Sequence, residues 1–209
     1  MPQLPPARLT TVVFDVGTVL LDWDPRHLYR KIFADPTEME WFLANVCTPA
    51  WNMAQDKGRA WPKAEAEAIT RHPGYAPQIR AFRARWHEMI AGPIAGTVAI
   101  LDKLAAAGVP LYAITNFASD TFREARAKFE FFDHFGGAAV SGDLHILKPD
   151  PAIYHSLARN CGLDLTRCVF IDDVEQNVTG ARAVGMTAIH FINPKQLAAE
   201  LVPLGFLAT

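Results

Sequence analysis

The sequence has few cysteines, no long apolar run and no block of basic residues. Its three cysteines, Cys47, Cys161 and Cys168, are scattered and form no CxxC pair, which favours a reduced, cytoplasmic protein over a disulfide framework. No apolar run reaches the length of a membrane span. The lead-in at residues 1–11 contains proline and lacks the apolar core of a signal peptide.

Charge and histidine spacing exclude two further classes of function. Lys and Arg number 20 against 22 Asp and Glu, so nucleic acid is not an expected partner. The seven histidines form no HxH or HExxH spacing, and a zinc site is therefore not expected. With 209 residues, half of them hydrophobic, the chain can form one large domain or a core domain with a smaller insert.

The strongest local pattern is a short apolar run that ends in a carboxylate. Val12, Val13 and Phe14 are typical of a buried parallel strand, and Asp15 follows directly. Ligands bind at the carboxyl ends of strands in open α/β sheets. Gly17 lets the backbone turn tightly there or approach a ligand closely. An ordinary turn would explain the same residues, so the pattern needs support from the rest of the chain.

Two regions of different character follow this strand. From about residue 23 to residue 92 the chain contains no convincing strand and several helix-start patterns, such as Asp-Pro and Thr-Pro. From residue 94 onward, predicted helices and strands alternate, which is typical of a parallel sheet with helices on both faces. The expected fold is α/β: a Rossmann-like core of residues 1–22 and 93–209, with a helical domain of residues 23–92 inserted after the first strand.

Polar groups follow several predicted strands and can converge on one edge of the sheet. A carboxylate can attack phosphorus, and clustered carboxylates need a cation, for which hard oxygen ligands favour Mg²⁺. A hydroxyl, an amide and a lysine can bind phosphoryl oxygens, so the set fits phosphoryl transfer. These groups are Asp15, Thr115 and Asn116, Lys148, and Asp172 with Asp173.

This combination resembles the haloacid dehalogenase superfamily. The four motifs of the superfamily occur in order as FDVGTV (14–19), ITN (114–116), KPDP (148–151) and FIDD (170–173), the last followed by Asn177 and Gly180-Ala181. The resemblance covers residues 12–191. It implies the Rossmann-like core of the superfamily, and the insert resembles the small helical cap of its subfamily IA.

The resemblance also implies a role for each matching residue. Asp15 resembles the nucleophile and a metal ligand, and Gly17 would lend its backbone carbonyl to the metal. Asp173 resembles the direct acidic ligand of Mg²⁺, with Asp172 beside it in the outer shell or also bound. Thr115 and Lys148 would hold the phosphoryl group and balance the charge of the nucleophile.

Further substrate contacts are expected from Asn116 in the core and from Trp23 and Gln55 in the insert. Trp23 follows the first motif directly and could wall the pocket. The turn from Gln55 to Gly58 resembles the cap turn that faces the nucleophile in related enzymes. The expected partner is a small phosphate ester, with no nucleic acid and no membrane; the sequence does not predict an oligomeric state.

Gly17 is a departure from most phosphatases of the superfamily, which have a second aspartate at that position as general acid and base. A branch similar to bacterial sugar-1-phosphate phosphatases, the glucose-1-phosphatase-like branch, shares the departure, and a sugar phosphate is therefore the expected substrate. Two explanations stay open. The leaving group needs little protonation, or a cap residue, a substrate hydroxyl or a bound water relays the proton.

Three functions are compatible with these residues: a Mg²⁺-dependent phosphatase, a 2-haloacid dehalogenase in which Asp15 attacks carbon without a metal, and a non-catalytic binding protein in which Gly17 is a lesion. The pair Asp172-Asp173 favours the phosphatase, because a metal-free dehalogenase gains nothing from extra carboxylates beside an anionic substrate. The retained Asp15 and Lys148 argue against the non-catalytic alternative.

Overall fold

A five-stranded parallel sheet forms the centre of the protein. The computed structural model describes residues 8–208, so the first seven residues of the predicted lead-in lie outside the described residues. The strands within that range are β1 Thr11–Phe14, β2 Leu21–Trp23, β3 Ile90–Pro93, β4 Leu111–Thr115, β5 Ala138–Val140, β6 Cys168–Asp172 and β7 Thr187–His190. The central sheet has the order β5-β4-β1-β6-β7, which places β1 in the middle.

Helices surround the sheet and fill the segment between β2 and β3. In residues 8–208 they are α1 Arg26–Tyr29, α2 Pro36–Asn45, α3 Pro49–Asp56, α4 Trp61–Arg71, α5 Ala76–Ala84, α6 Ala95–Ala106, α7 Ser119–Lys128, α8 Ser141–Leu144, α9 Pro151–Cys161, α10 Glu175–Ala183 and α11 Pro194–Leu201. None of them is both long and apolar enough to cross a membrane. The predicted α/β class, with a helical insert after the first strand, is confirmed.

Strand β1 is buried on both faces, as its continuous apolar run predicts. Side chains alternate along a strand, so Val12 and Phe14 belong to one hydrophobic cluster and Val13 belongs to the other. The first cluster includes side chains of α6, α11 and the insert. The second includes side chains of α9 and α10. Helices on both faces therefore leave only the ends of the strands open to a ligand.

The prediction of no strand between residues 23 and 92 is wrong at both ends of that segment. Strands β2 and β3 pair antiparallel, with Asp22 opposite Gly92 and Trp23 opposite Ile90, and the register shifts between Asp22 and Trp23. Such short strands carry too few residues for an alternating pattern, and each depends on a partner far away in sequence. The resulting two-stranded ribbon joins the insert to the core.

Side chains of the insert also bind the core directly. Arg83 in α5 forms ion pairs with Asp120 and Glu124 of α7, at 2.8 and 2.6 Å. The indole of Trp61 donates a hydrogen bond to Asp120 at 3.2 Å. These contacts hold the helical insert over the carboxyl end of the sheet.

Gly180 in α10 generates a prediction about stability. A Cβ at this position would lie 2.8 Å from Pro149 Cβ and 2.9 Å from the Pro149 carbonyl oxygen, next to Lys148. A Gly-to-Ala change inside a helix normally stabilises by ~1 kcal/mol, but overpacking costs about 1–3 kcal/mol. We expect Gly180→Ala to lower the free energy of unfolding in urea. Thr179→Ala, at an exposed position of the same helix, is the control and should change it by less than about 0.5 kcal/mol. A Gly180→Ala variant as stable as the wild type would contradict this contact.

Candidate active site

A buried cluster of three charged side chains lies at the carboxyl end of the sheet. Lys148 Nζ lies 2.8 Å from Asp15 Oδ1 and 2.6 Å from Asp172 Oδ2. It also donates a hydrogen bond to the Ile114 carbonyl at 3.1 Å. The side chains of Lys148, Asp15 and Asp172 are only 1%, 10% and 0% exposed. Because so little water reaches them, each charge depends on its partner in the cluster.

The order of the strands brings these groups together. Asp15 directly follows β1, Asp172 ends β6, and the two strands are paired with Phe14 opposite Ile171. The convergence predicted from a parallel sheet is therefore present in the structure. Lys148 comes from the loop before α9 and reaches between the two carboxylates.

Asp172 and Asp173 have different surroundings although they are neighbours in sequence. Both oxygens of Asp172 are occupied: Oδ2 by Lys148, and Oδ1 by the Val174 N–H at 2.8 Å and by Asn177 Nδ2 at 3.0 Å. Asp173 is partly exposed, and its carboxylate makes no hydrogen bond to any residue in the range 8–208. One carboxylate oxygen from each of Asp15, Asp172 and Asp173 lies within 4.8 Å of the other two. Such a group of oxygens can hold a hard divalent cation.

Burial and neighbouring charges shift the pKa values in the cluster. Burial raises the pKa of Asp15 to about 7; Lys148 opposes this rise, and the negative charges of Asp172 and Asp173 add to it. Burial alone would lower the pKa of Lys148, but the Asp15 and Asp172 carboxylates outweigh it and raise the pKa above its ordinary value. Lys148 is therefore a positive charge at neutral pH.

Asn116 and Thr115 follow β4 at the same edge of the sheet. Asn116 Oδ1 accepts a hydrogen bond from the Lys148 backbone N–H at 2.8 Å, and Asn116 Nδ2 donates to the Lys148 carbonyl at 3.3 Å. Asn116 therefore holds the loop that carries Lys148, a role that the sequence did not predict, and its predicted bond to phosphoryl oxygens stays a prediction. Thr115 is 1% exposed and lines a cavity together with Asp15.

Two adjoining cavities lie in front of Asp15. The smaller has a volume of about 90 Å³ and is lined by Asp15, Gly17 and Thr115 among others. The larger, with a volume of about 750 Å³, lies between the core and the insert. Four residues line both cavities: Trp23, Asn52, Asp56 and Asn116. The structure therefore places Trp23 at the junction of the two spaces.

The structure corrects the predicted substrate contact at Gln55, which lines neither cavity. Its side chain is buried, donates to the Trp51 carbonyl and accepts a hydrogen bond from Arg59 Nε at 2.6 Å. Residues four apart share one face of a helix, so Gln55 faces the interior of the insert with Trp51. The adjacent face of α3 presents Asn52 and Asp56 to the cavities instead.

The sequence prediction missed Asn52 and the side of α3 on which Asp56 lies. The sequence does contain a pattern that indicates the orientation of α3. Thr48 marks the start of the helix, where it accepts a hydrogen bond from the Trp51 N–H at 3.0 Å, and the apolar Trp51 indicates which face of the helix is buried. Counting from Trp51 assigns Gln55 to the core and leaves Asn52 and Asp56 for the open face. Trp86, Phe117 and Thr121, which also line the smaller cavity, have no comparable signal in the sequence.

The protein has an α/β fold with a buried cluster of charged side chains at the carboxyl end of its sheet, and the comparison with protein families places it among the hydrolases. A model of the haloacid dehalogenase-like hydrolases matches residues 9–185. The chain therefore belongs to this family, as the four motifs predict. The comparison does not assign the subfamily or the glucose-1-phosphatase-like branch.

Individual relatives include phosphatases and a dehalogenase. The chain is 24% identical over 189 residues to the sesquiterpene phosphatase astK of Aspergillus oryzae, covering 90% of this chain and 93% of the relative. A HAD family enzyme of Bacteroides thetaiotaomicron, solved with magnesium and inorganic phosphate, is 21% identical with a TM-score of 0.66, covering 88% of this chain and 95% of its own. The L-2-haloacid dehalogenase of Xanthobacter autotrophicus is 17% identical with a TM-score of 0.62, covering 95% and 84%. At these identities the two solved structures show the shared fold alone.

The raised pKa of Asp15 makes the stability of the metal-free protein depend on pH. The pKa of Asp15 is about 7 in the folded protein and 3.8 in an ordinary carboxyl group. The favourable contribution of protonated Asp15 to the free energy of unfolding is therefore complete below pH 3.8 and is lost as the pH rises through about 7. An asparagine side chain does not ionise, so the Asp15→Asn variant does not lose this stability as the pH rises. In EDTA at pH 8 the variant should be more stable than the wild type by roughly 1–4 kcal/mol in urea unfolding, and near pH 4 the two should be equal. Asp133→Asn, which changes an exposed carboxylate, should show no such trend. A difference between Asp15→Asn and wild type that stays constant from pH 4 to pH 8 would refute the shift.

Proposed function

We propose that this protein is a Mg²⁺-dependent phosphatase that hydrolyses a phosphate monoester through an aspartyl-phosphate on Asp15. The observation that carries the proposal is the buried Asp15–Lys148–Asp172 cluster, which faces a cavity and has the Asp173 carboxylate beside it. The phosphatase name of the Aspergillus oryzae relative supports the same class of reaction.

The chain's own residues account for the covalent steps. Lys148 holds Asp15 by its Oδ1 atom, which leaves Oδ2 to attack phosphorus and form the acyl phosphate. The P–O bond to the leaving group breaks, and the leaving oxygen takes a proton. A water then attacks the phosphorus, the bond to Asp15 breaks, and phosphate leaves with the Asp15 carboxylate restored. Thr115 lines the same cavity and can donate its hydroxyl to a phosphoryl oxygen.

The residues present fit a magnesium ion. We propose Asp15, Asp173 and the backbone carbonyl of Gly17 as its ligands, because both oxygens of Asp172 are already bonded to Lys148, Val174 and Asn177. Asp172 then acts in the outer shell by orienting Lys148. A magnesium ion held there supplies positive charge beside the phosphoryl oxygens.

The dehalogenase alternative fits this site less well. A 2-haloacid substrate carries a carboxylate, and in a metal-free site it would approach three further carboxylates within 4.8 Å of one another. Lys148 is already paired with two of them. A divalent cation would remove this repulsion and would neutralise the phosphoryl oxygens in phosphoryl transfer, whereas displacement at carbon makes no such demand. The same buried ion cluster argues against a non-catalytic binding protein, because buried charges are costly to maintain.

We also propose that residues 23–92 act as a cap that supplies the specificity contacts. The ribbon β2–β3 would mark its boundary with the core of residues 1–22 and 93–209. The larger cavity lies between cap and core, and the cap side is lined mainly by apolar groups such as Leu43, Pro49, Met53 and Phe82. A substrate whose phosphate reaches Asp15 would therefore place its leaving group against the cap.

The lining of the larger cavity favours a leaving group with a substantial apolar part over the predicted sugar. The one cation among the described residues of this lining is already paired, because Arg26 lies 2.6 Å from Glu40 and 3.3 Å from Asp24. Most of the accessible surface of the lining is apolar, and hydroxyls of a sugar placed against apolar surface would lose hydrogen bonds to water. The Aspergillus oryzae relative is named for a sesquiterpene substrate, which is an apolar alcohol of this kind. We propose phosphate monoesters of apolar alcohols as the substrate class.

Substitution of Asp15 tests the reaction itself. With Mg²⁺ the wild type should hydrolyse 4-nitrophenyl phosphate and form a hydroxylamine-sensitive phosphoenzyme. Asp15→Asn should abolish both, while Asp133→Asn retains them. EDTA should stop hydrolysis, and added Mg²⁺ should restore it. Full hydrolysis of 4-nitrophenyl phosphate in EDTA would contradict the role of Mg²⁺. Chloride release from 2-chloropropionate, undiminished in EDTA, would favour the dehalogenase, and no activity on either substrate class would favour a binding protein.

A series of alkyl phosphates tests the substrate class. Each buried methylene contributes about 0.8 kcal/mol, so kcat/KM should rise by up to about fourfold per methylene until the cavity is filled. Met53→Gln lowers the apolar area of the lining and should reduce kcat/KM for long chains more than for ethyl phosphate. Ile192→Gln, on an exposed apolar side chain that lines neither cavity, is the control. Sugar phosphates hydrolysed faster than every alkyl phosphate would overturn this substrate class.

A further inference from the structure

Gly17 leaves space beside the nucleophile but no group that can transfer a proton. A Cβ at Gly17 would have no neighbour within 4 Å, and the residue lines the smaller cavity with Asp15. Alcohols of apolar compounds are poor leaving groups as alkoxides, so the substrate class proposed above needs a proton donor. That donor must lie where the phosphoryl group meets the leaving group.

Asp56 occupies this position. It ends α3 and is one of the residues that line both cavities, so it lies at the junction between the Asp15 side and the apolar side. Among the described residues, the smaller cavity is lined by two acidic side chains, Asp15 and Asp56. The remaining ionisable groups of the larger cavity are Asp22, Asp24, Arg26, Glu40 and Cys47.

The structure holds Asp56 in place from both the insert and the core. Asn52 Nδ2 donates to Asp56 Oδ2 at 2.9 Å. Ser141 Oγ in the core donates to the Asp56 backbone carbonyl at 2.6 Å. The next peptide is anchored as well, because His145 Nδ1 donates to the Lys57 carbonyl at 3.0 Å. These bonds tie the end of α3 to the edge of the sheet that carries Asp15.

The surroundings of Asp56 favour its protonated form. Burial raises its pKa to about 8, and the Ala118 backbone N–H opposes this only in part. In residues 8–208 no ion pair involves Asp56, in contrast to Asp15 with its contact to Lys148. At neutral pH Asp56 is therefore mostly a carboxylic acid and can donate a proton.

We propose that Asp56 is the general acid and base of this enzyme and replaces the aspartate that Gly17 lacks. The inference rests on the proposed phosphatase function. In the first step Asp15 bonds to phosphorus, the P–O bond to the leaving group breaks, and the Asp56 proton passes to the leaving oxygen. In the second step the Asp56 carboxylate takes a proton from water, the water oxygen bonds to phosphorus, and the bond to Asp15 breaks. Asp56 ends the cycle protonated, so the protons balance.

Asp56→Asn, assayed with Mg²⁺ on phosphates of leaving groups of increasing pKa, tests this role. For 4-nitrophenyl phosphate, whose leaving group needs little protonation, we expect kcat/KM to fall by less than about tenfold. This parameter does not include the later hydrolysis of the phosphoenzyme, in which Asp56 acts as the base. For alkyl phosphates we expect a loss of about 10²–10⁴-fold. The wild type should show a shallow dependence of log kcat/KM on leaving-group pKa, and the variant a steep negative one. The retained activity on 4-nitrophenyl phosphate also reports that the variant is folded.

Three further variants separate proton transfer from positioning. Asn52→Ala removes a hydrogen bond that positions Asp56 but leaves the acidic proton in place, so its loss on alkyl phosphates should be much smaller than that of Asp56→Asn. Gly17→Asp fits the open space at that position and should restore alkyl phosphate hydrolysis in the Asp56→Asn background by at least tenfold. Asp56→Glu keeps the acidic proton and should keep the shallow slope.

The possible failures of the two proposals differ. If the wild type hydrolyses aryl phosphates but Asp56→Asn keeps the wild-type slope, or loses kcat/KM by the same factor for every leaving group, Asp56 is not the proton donor and the phosphatase proposal stands. If the wild type hydrolyses no phosphate ester, the proposed function fails and the role of Asp56 fails with it.

Discussion

The position of one buried lysine between two buried carboxylates constrains the rest of the site. Lys148 lies within 2.8 Å of both Asp15 and Asp172, and removing the lysine would leave two buried carboxylates without a counter-charge. The surrounding residues stabilise this arrangement: Asn116 binds both backbone groups of Lys148, and Asn177 and Val174 bind Asp172. The sheet is the frame for the cluster, because the pairing of β1 with β6 fixes how far apart the two carboxylates are.

The site residues that lie at the carboxyl ends of strands could be predicted from the sequence. Apolar runs locate β1 and β6, and a parallel sheet brings Asp15 and Asp172 to one edge whatever the details of packing. The use of Asn116 could not be predicted, since it depends on the path of a loop 32 residues further along the chain. Strands β2 and β3 were missed because three- and four-residue strands have no periodic signal and depend on each other.

The assignment of Gln55 was wrong because it relied on a turn, whereas the residue lies on a helix. Both Gln55 and Asp56 are part of α3, and a difference of one residue rotates a side chain by about 100° around a helix. Trp51 determines which of the two faces the interior of the insert. Residues contributed by several elements, such as Trp86 and Phe117, depend on tertiary packing, which a single sequence does not specify.

The two carboxyl groups at the cavity need opposite protonation states, and their surroundings differ accordingly. Asp15 must be ionised to attack phosphorus, and it has Lys148 at 2.8 Å and a site where a cation would lower its pKa further. Asp56 has a neutral partner, Asn52, so nothing comparable favours its charged form. Under the proposed function, an apolar cavity would select alcohols that leave poorly without a proton, and the partly buried Asp56 at its junction with the smaller cavity would supply that proton. The apolar lining and the raised pKa of Asp56 are then connected, because a carboxyl group beside apolar surface is less well solvated in its charged form.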